Sequence, residues 1–247
     1  MDYAQITMPG SREYNEDSAI ALQRNDECCF VVADGLGGHG KGEIASAIAT
    51  ETFKQKFESS RILADSFIPE TFLDAQHNIL QEQKIKKATF EMKTTCVALT
   101  ISGGTVRIGH IGDTRAYVFK KNRIIYRTKD HSVPQMLVLS GEIKENKIRN
   151  HPDRNRLLRV MGIVWDSAKY ELSEDIPLSE FHAFLLCCDG FWELCDEKKM
   201  CTFLKKSTTA KHWLELMTQE VERNGKGKDM DNYTAIAVIC RGEEFGI

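Results

Sequence analysis

Acidic residues stand at the ends of apolar runs at five places in this chain. FVVADG closes a run with Asp34 followed by Gly35, and FLLCCDG repeats the arrangement with Asp189. IGHIGDTRAY sets Asp113 in a turn between two runs. NEDSAIAL puts Glu16 and Asp17 before one, and MDNYTAIAVIC does the same with Asp231 and Asn232. If the runs are antiparallel strands, the C-terminal end of each lies beside the N-terminal end of its neighbour. Acids after some strands and before others then collect at one edge, where they repel and raise one another's pKa. Hard divalent cations relieve that repulsion, and all-oxygen ligation suits magnesium or manganese better than zinc. The bland reading is that each aspartate merely caps its own turn, a common role for Asp. Five such positions together favour the metal.

The loop after Asp34, GLGGHGKG, also admits two phosphate readings. GLGGHG fits the G-x-G-x-x-G dinucleotide pattern, and residues 35–41 fit a P-loop up to its last position. A dinucleotide site requires a second parallel strand after the helix, whereas here one helix leads to another. A P-loop requires Ser or Thr after its lysine, and this chain has Gly42. Asp34 would also point a negative charge at a bound phosphate. Neither phosphate reading stands.

The elements that must position these acids follow from hydrophobic spacing. Strands are expected at 3–8, 18–22 and 28–33. A long helix follows, with Ala45, Ala49, Phe53 and Phe57 at four-residue steps, then a second over 69–87 carrying Phe72, Ala75 and Ile79. Four short β-type runs at 94–102, 105–110, 115–120 and 123–127, separated by GG, GD and KN turns, read as an antiparallel meander. Residues 130–162 read as short helices and loop. Strands at 169–172 and 183–188, helices at 197–205 and 210–223, and a last strand at 233–240 complete the chain. Two blocks of helices around many antiparallel strands imply an α+β fold, two sheets face to face with helices outside.

Composition narrows the class. Hydrophobic residues are 42% and charged residues 28% of the 247 positions, ordinary for a globular chain with a buried core. A formal net charge of −3 gives no electrostatic argument for nucleic acid or an acidic membrane as partner. No apolar run approaches the roughly 20 residues of a membrane-spanning helix. The start has neither the basic nor the apolar region of a signal peptide. The eight cysteines form no C-x-x-C pair and lie mostly in apolar runs. They read as small buried hydrophobes in a reducing, cytoplasmic compartment.

Nine segments, in order, resemble the metal-dependent serine/threonine protein phosphatases, the PPM or type 2C family, in its compact bacterial form. They are SREYNED (11–17), VVADGLGGHGKGEIAS (31–46), TTCVALTI (94–101), IGDTRAYVF (111–119), TKDHS (128–132), SGEI (140–143), NRLLRVMG (155–162), LLCCDGFWE (185–193) and DNYTAIAV (231–238). The resemblance implies one phosphatase domain over 1–247 with an α-β-β-α sandwich and a flap at about 132–162. It implies two or three manganese or magnesium ions. Asp34 would bridge two metals, with the Gly35 carbonyl on one, while Asp189 and Asp231 hold the other. Glu16 would act through water, Asp17 would orient waters, and Asp113 with Asp189 would hold a third ion. Arg12 matches the arginine that grips the substrate phosphate; its alternative is a surface ion pair. His39 is open between general acid and a backbone hydrogen bond. In or beside the flap, His131, Arg149 and Arg154 are candidate substrate contacts.

The reaction implied is hydrolysis of phosphoserine or phosphothreonine monoesters on proteins, by a hydroxide held between two metals and without a covalent phosphoenzyme. No C-x-x-x-x-x-R loop supports a cysteine route. The expected partners are phosphoproteins made by a serine/threonine kinase, with no nucleic acid and no membrane, and the chain is expected to be a monomer. One rival is a catalytically dead member serving as a binding module, but the ligands such a protein would lack are present. Another keeps the metals and takes small phosphate esters.

Overall fold

Runs such as ECCFVVA and HAFLLC are apolar without alternation because both of their faces are covered. In the computed structural model, which describes residues 1–36, 41–62, 65–89, 91–178 and 182–240, the chain opens with β1 (Asp2–Met8), β2 (Ser18–Arg24), β3 (Glu27–Ala33) and a short β4 (Gly35–Leu36). Helices α1 (Gly42–Ser59) and α2 (Phe67–Ile85) follow. Next come β5 (Lys93–Thr94), β6 (Cys96–Ser102), β7 (Thr105–Ile111), β8 (Arg115–Lys120) and β9 (Arg123–Arg127). The segment expected to be a flap holds α3 (Val133–Leu139) and a 3-10 helix (Glu145–Asn150). The chain continues through β10 (Glu171–Leu172), β11 (Ile176–Pro177), β12 (His182–Cys187), α4 (Asp189–Trp192), α5 (Glu197–Lys206), α6 (Ala210–Gly225) and β13 (Tyr233–Cys240).

Two antiparallel sheets face each other. One runs β1-β13-β12-β8-β9, the other β10-β7-β6-β3-β2, with β11 also on β7. Phe30, Val32, Leu99, Ile108, Val118, Phe184, Leu186, Ile236 and Val238 meet between them. The intervening residues point outward. Cys29, Val31 and Ala33 pack beneath Ala45, Ala49, Phe53 and Phe72 of α1 and α2. On the other sheet, Phe119, Leu185 and Ala237 lie beneath Met200 of α5 and Trp213 and Met217 of α6. The expected α-β-β-α layering is therefore present. Each large apolar side chain so buried contributes roughly 1.5–3 kcal/mol. Among the described residues, no helix is long and apolar enough to cross a membrane.

Three expectations need correction. The four runs from 94 to 127 are not one meander: β6 and β7 pair in one sheet, β8 and β9 in the other. The GD turn carries the chain across, with Gly112 at φ +95°. The expected strand at 94–102 splits at Thr95, whose N–H donates to the Asp34 carbonyl (2.9 Å) while Thr94 pairs with Gly35. The second helix begins at Phe67, before the expected start, because Pro69 is tolerated in a first helical turn. The short β11 and α4 carried no signal in the sequence.

Candidate active site

The acids converge as antiparallel pairing requires. Ser18 at the start of β2 pairs with Ala33 at the end of β3, which brings Asp17 and Asp34 to one edge. The end of β12 lies beside the start of β13 in the same way, with Cys187 opposite Ala235, and this brings Asp189 and Asp231 together. Asp113 sits in the crossing turn between the sheets. Close backbone packing explains the glycines after the aspartates. A Cβ on Gly35 would lie 2.4 Å from the Gly42 carbonyl carbon, and one on Gly190 would lie 2.0 Å from the Asn232 carbonyl oxygen.

The electrostatics follow from this crowding. Burial holds the Asp34 carboxyl well above its ordinary range, and Asp189, Asp17, Asp113 and Asp231 add to the rise in that order. Asp189 is pushed up to about 7, first by burial and then by Asp231, Glu193 and Asp17. Asp17 is pushed up to about 6 by burial, against hydrogen bonds from Thr234 and Cys188. Burial likewise raises Asp113, with Asp189 and Asp130 adding to it and Arg115 opposing. Among the described residues, no Lys or Arg side chain pairs directly with Asp34 or Asp189. These are buried, electrostatically coupled carboxylates, and hard oxygen donors of this kind fit a hard divalent cation.

Arg12 lies at the exposed rim, where Nε and Nη2 donate to the two carboxylate oxygens of Asp231 at 3.2 and 3.3 Å. The ion-pair alternative weighed for this residue is thus formed here, at the mouth of the acid cluster. Asn232 secures the 9–17 segment. Its Nδ2 donates to the carbonyls of Pro9 and Tyr14 at 2.9 and 3.0 Å, and its Oδ1 accepts from the Glu16 N–H at 2.8 Å. The Cys188 thiol donates to Asp17 at 3.2 Å and accepts from the Thr234 N–H at 3.1 Å. His39 lies outside the described residues.

Sequence reasoning missed the support behind Asp113. Trp192 Nε1 donates to the Asp113 carbonyl at 3.0 Å. The buried Arg115 guanidinium lies 3.4 Å over the Trp192 ring and makes two bonds to Asp130 at 2.8 and 2.6 Å. Only the FWE and DTR triplets hint at these partners, and neither states the pairing. The flap residues named as candidate contacts all have partners within the chain. Arg149 pairs with Glu197 at 2.9 Å, Arg154 with Glu193 at 2.8 Å, and His131 accepts from the Gly112 N–H at 3.1 Å.

Known proteins share both the sequence pattern and the fold of this chain. A family model described as "Protein phosphatase 2C" matches residues 10–232. The serine/threonine phosphatase stp of Listeria welshimeri is 29% identical over 234 residues, covering 92% of this chain and 90% of that protein. A crystal structure of a bacterial serine phosphatase shares the fold with a TM-score of 0.86 at 27% identity, covering 98% of both chains. The catalytic domain of the phosphatase PstP, solved in complex with two manganese ions, shares the fold with a TM-score of 0.81 at 23% identity, covering 96% of this chain and 97% of that one. With 10–232 accounted for by one family model and the sandwich shared from end to end, the chain belongs to the protein phosphatase 2C family, as a serine/threonine protein phosphatase.

Proposed function

We propose that this phosphatase hydrolyses phosphoserine and phosphothreonine monoesters on proteins in a reaction that depends on manganese or magnesium. The observation that carries the proposal is the set of carboxylates around Asp34, raised by burial and by one another, with no lysine or arginine among the described residues paired to Asp34 or Asp189. The donors are hard oxygens throughout, which suits those two ions. The two manganese ions held by the PstP catalytic domain, a protein of the same fold, support the same reading.

In this reading Asp34, the Gly35 carbonyl, Asp189 and Asp231 would together hold two ions, and Asp113 with Asp189 would hold a third. When bound, such ions supply Lewis acidity towards both water and the phosphoryl group. Glu16 reaches the site through water, and Asp17, fixed by Cys188 and Thr234, orients water by accepting hydrogen bonds. Arg12 binds the substrate phosphate from the rim, where a planar guanidinium matches two phosphoryl oxygens. His39 is the candidate donor of a proton to the leaving oxygen.

We read 1–247 as one phosphatase domain whose flap, at about 132–162, borders the substrate. The expected substrates are products of a serine/threonine kinase, and the chain acts as a monomer in the cytoplasm. All eight cysteines are free, and seven are buried, as a reducing compartment permits. The test is phosphate release from a phosphothreonine peptide, with and without manganese, beside a small phosphate ester. Manganese-dependent release that EDTA abolishes and Asp34→Ala lacks supports the reading. Release that persists in EDTA, or in Asp34→Ala, refutes it.

A further inference from the structure

We propose that His131 is a positioning residue, which grips the Gly112–Asp113 turn and ties it to the flap. The proposal rests on the reading of Asp113 as a metal ligand. Its grounds are a set of contacts that converge on one buried side chain. The His131 N–H donates to the Gly112 carbonyl at 2.8 Å, and His131 Nδ1 accepts from the Gly112 N–H at 3.1 Å. One residue therefore holds both main-chain groups of the residue before Asp113. Gly112 has φ +95°, and a Cβ there would lie 2.4 Å from Thr95 Cγ2, so this turn accepts glycine alone. Glycine turns cost backbone entropy to fix, and the two-way grip offsets that cost.

The same ring reaches the flap. Because Nδ1 accepts, the neutral imidazole carries its proton on Nε2, which faces Glu171 Oε1 at 3.2 Å. Glu171 also accepts from Arg159 Nη1 at 2.8 Å. The His131 carbonyl accepts from the Leu158 N–H at 2.7 Å, and Ser132 bridges Leu157. His110 stacks on the ring with centroids 4.7 Å apart and planes 14° from parallel, while its own Nε2 donates to the Lys129 carbonyl at 2.8 Å. Thus the turn bearing Asp113 and the returning arm of the flap share one anchor.

His110, His131 and Glu171 offer ligand atoms within 4.8 Å of one another, yet they do not make a metal centre. The Gly112 N–H takes His131 Nδ1, which leaves the proton on the nitrogen a metal would need. Near-parallel rings do not aim their lone pairs at one point. Arg159 Nη1, 3.4 Å from His131 Nε2, already brings positive charge to the spot. The trio is a clamp.

The experiment compares His131→Asn, His131→Gln and Asp113→Asn by calorimetric titration of the metal-stripped chain with manganese. Asparagine keeps an acceptor where Nδ1 stands and loses Glu171; glutamine reaches towards Glu171 and loses the bond from Gly112. The expected result is that His131→Gln weakens one manganese site by about 10- to 100-fold, the range for an outer partner of a ligand, that Asp113→Asn weakens the same site by at least as much, and that His131→Asn stays close to the parent. The proposal is overturned if both His131 variants bind as the parent does, or if both weaken equally. If Asp113→Asn alone leaves binding intact, the ligand reading fails and the proposal falls with it, at Asp113 rather than at His131. Should the variants not fold, hydrogen exchange of the parent chain decides: a Gly112 amide protected like those of the core strands supports the clamp, and one exchanging like an exposed loop overturns it.

Discussion

Asp189, read as a metal ligand, would be a side chain both functional and costly. Burial first, and then Asp231, Glu193 and Asp17, push its carboxyl up to about 7. Asp189→Asn removes charge where charge is in excess. The metal-stripped variant should therefore melt no lower than the parent, while turnover with manganese falls by more than the roughly 100-fold loss of an outer partner. Retained turnover would take Asp189 out of the site. Arg12 calls for different kinetics, because an exposed guanidinium at the rim acts chiefly in binding. Arg12→Ala should raise KM by roughly 10- to 150-fold, equivalent to about 1.5–3 kcal/mol for a charged hydrogen bond, and Arg12→Lys should not restore it. An unchanged KM in steady-state assays would contradict that role. The acids were legible as a set, because five strand ends carry them and antiparallel pairing sets such ends side by side. Asn232, Arg115 and Trp192 were not, since their roles come from partners far along the chain or from stacking, as with Asn232 Oδ1 and the Glu16 N–H.

Among the elements, the crossing from β7 to β8 does most to shape the site, because it sets Asp113 at the seam between the sheets. Behind that turn, Arg115 on β8 is buried with Asp130 and packed on Trp192. Removing one member of a buried ion pair leaves its partner charged and unanswered. Arg115→Ala should thus cost about 3–5 kcal/mol in urea denaturation, whereas Arg115→Met with Asp130→Leu should recover most of that. A loss below about 1 kcal/mol for the single variant would mean that the pair is not buried as described. Most elements could be read from apolar runs and helical stripes. The sheet exchange could not, because a GD turn in a hairpin and a GD turn between sheets look alike until the partners of β8 are known. The split at Thr95 was hidden for a similar reason: it serves the carbonyl of Asp34, sixty-one residues earlier in the sequence.

At the scale of the whole molecule, the acid edge makes stability depend on pH and metal together. Asp17 and Asp189 have folded-state values of about 6 and about 7 against 3.8 for the free group, so the folded chain holds more protons than the unfolded one in that range. Stability then falls as pH rises. His110 and His131 are held below their ordinary range, chiefly by burial, and contribute with the opposite sign until the unfolded imidazoles finish titrating about one pH unit above 6.5. Asp34 and Asp113, raised as well, add to Asp17 and Asp189 against the two histidines. Between pH 6.5 and 8 the metal-stripped protein should therefore lose about 2–4 °C in melting temperature, and saturating manganese should remove that loss while raising both values. A melting temperature that climbs over this interval without metal would contradict the electrostatic account. The most direct measurement is anomalous diffraction from crystals soaked in manganese. The account predicts two strong peaks enclosed by Asp34, the Gly35 carbonyl, Asp189 and Asp231. An edge without peaks, or with peaks that those oxygens do not touch, would contradict it.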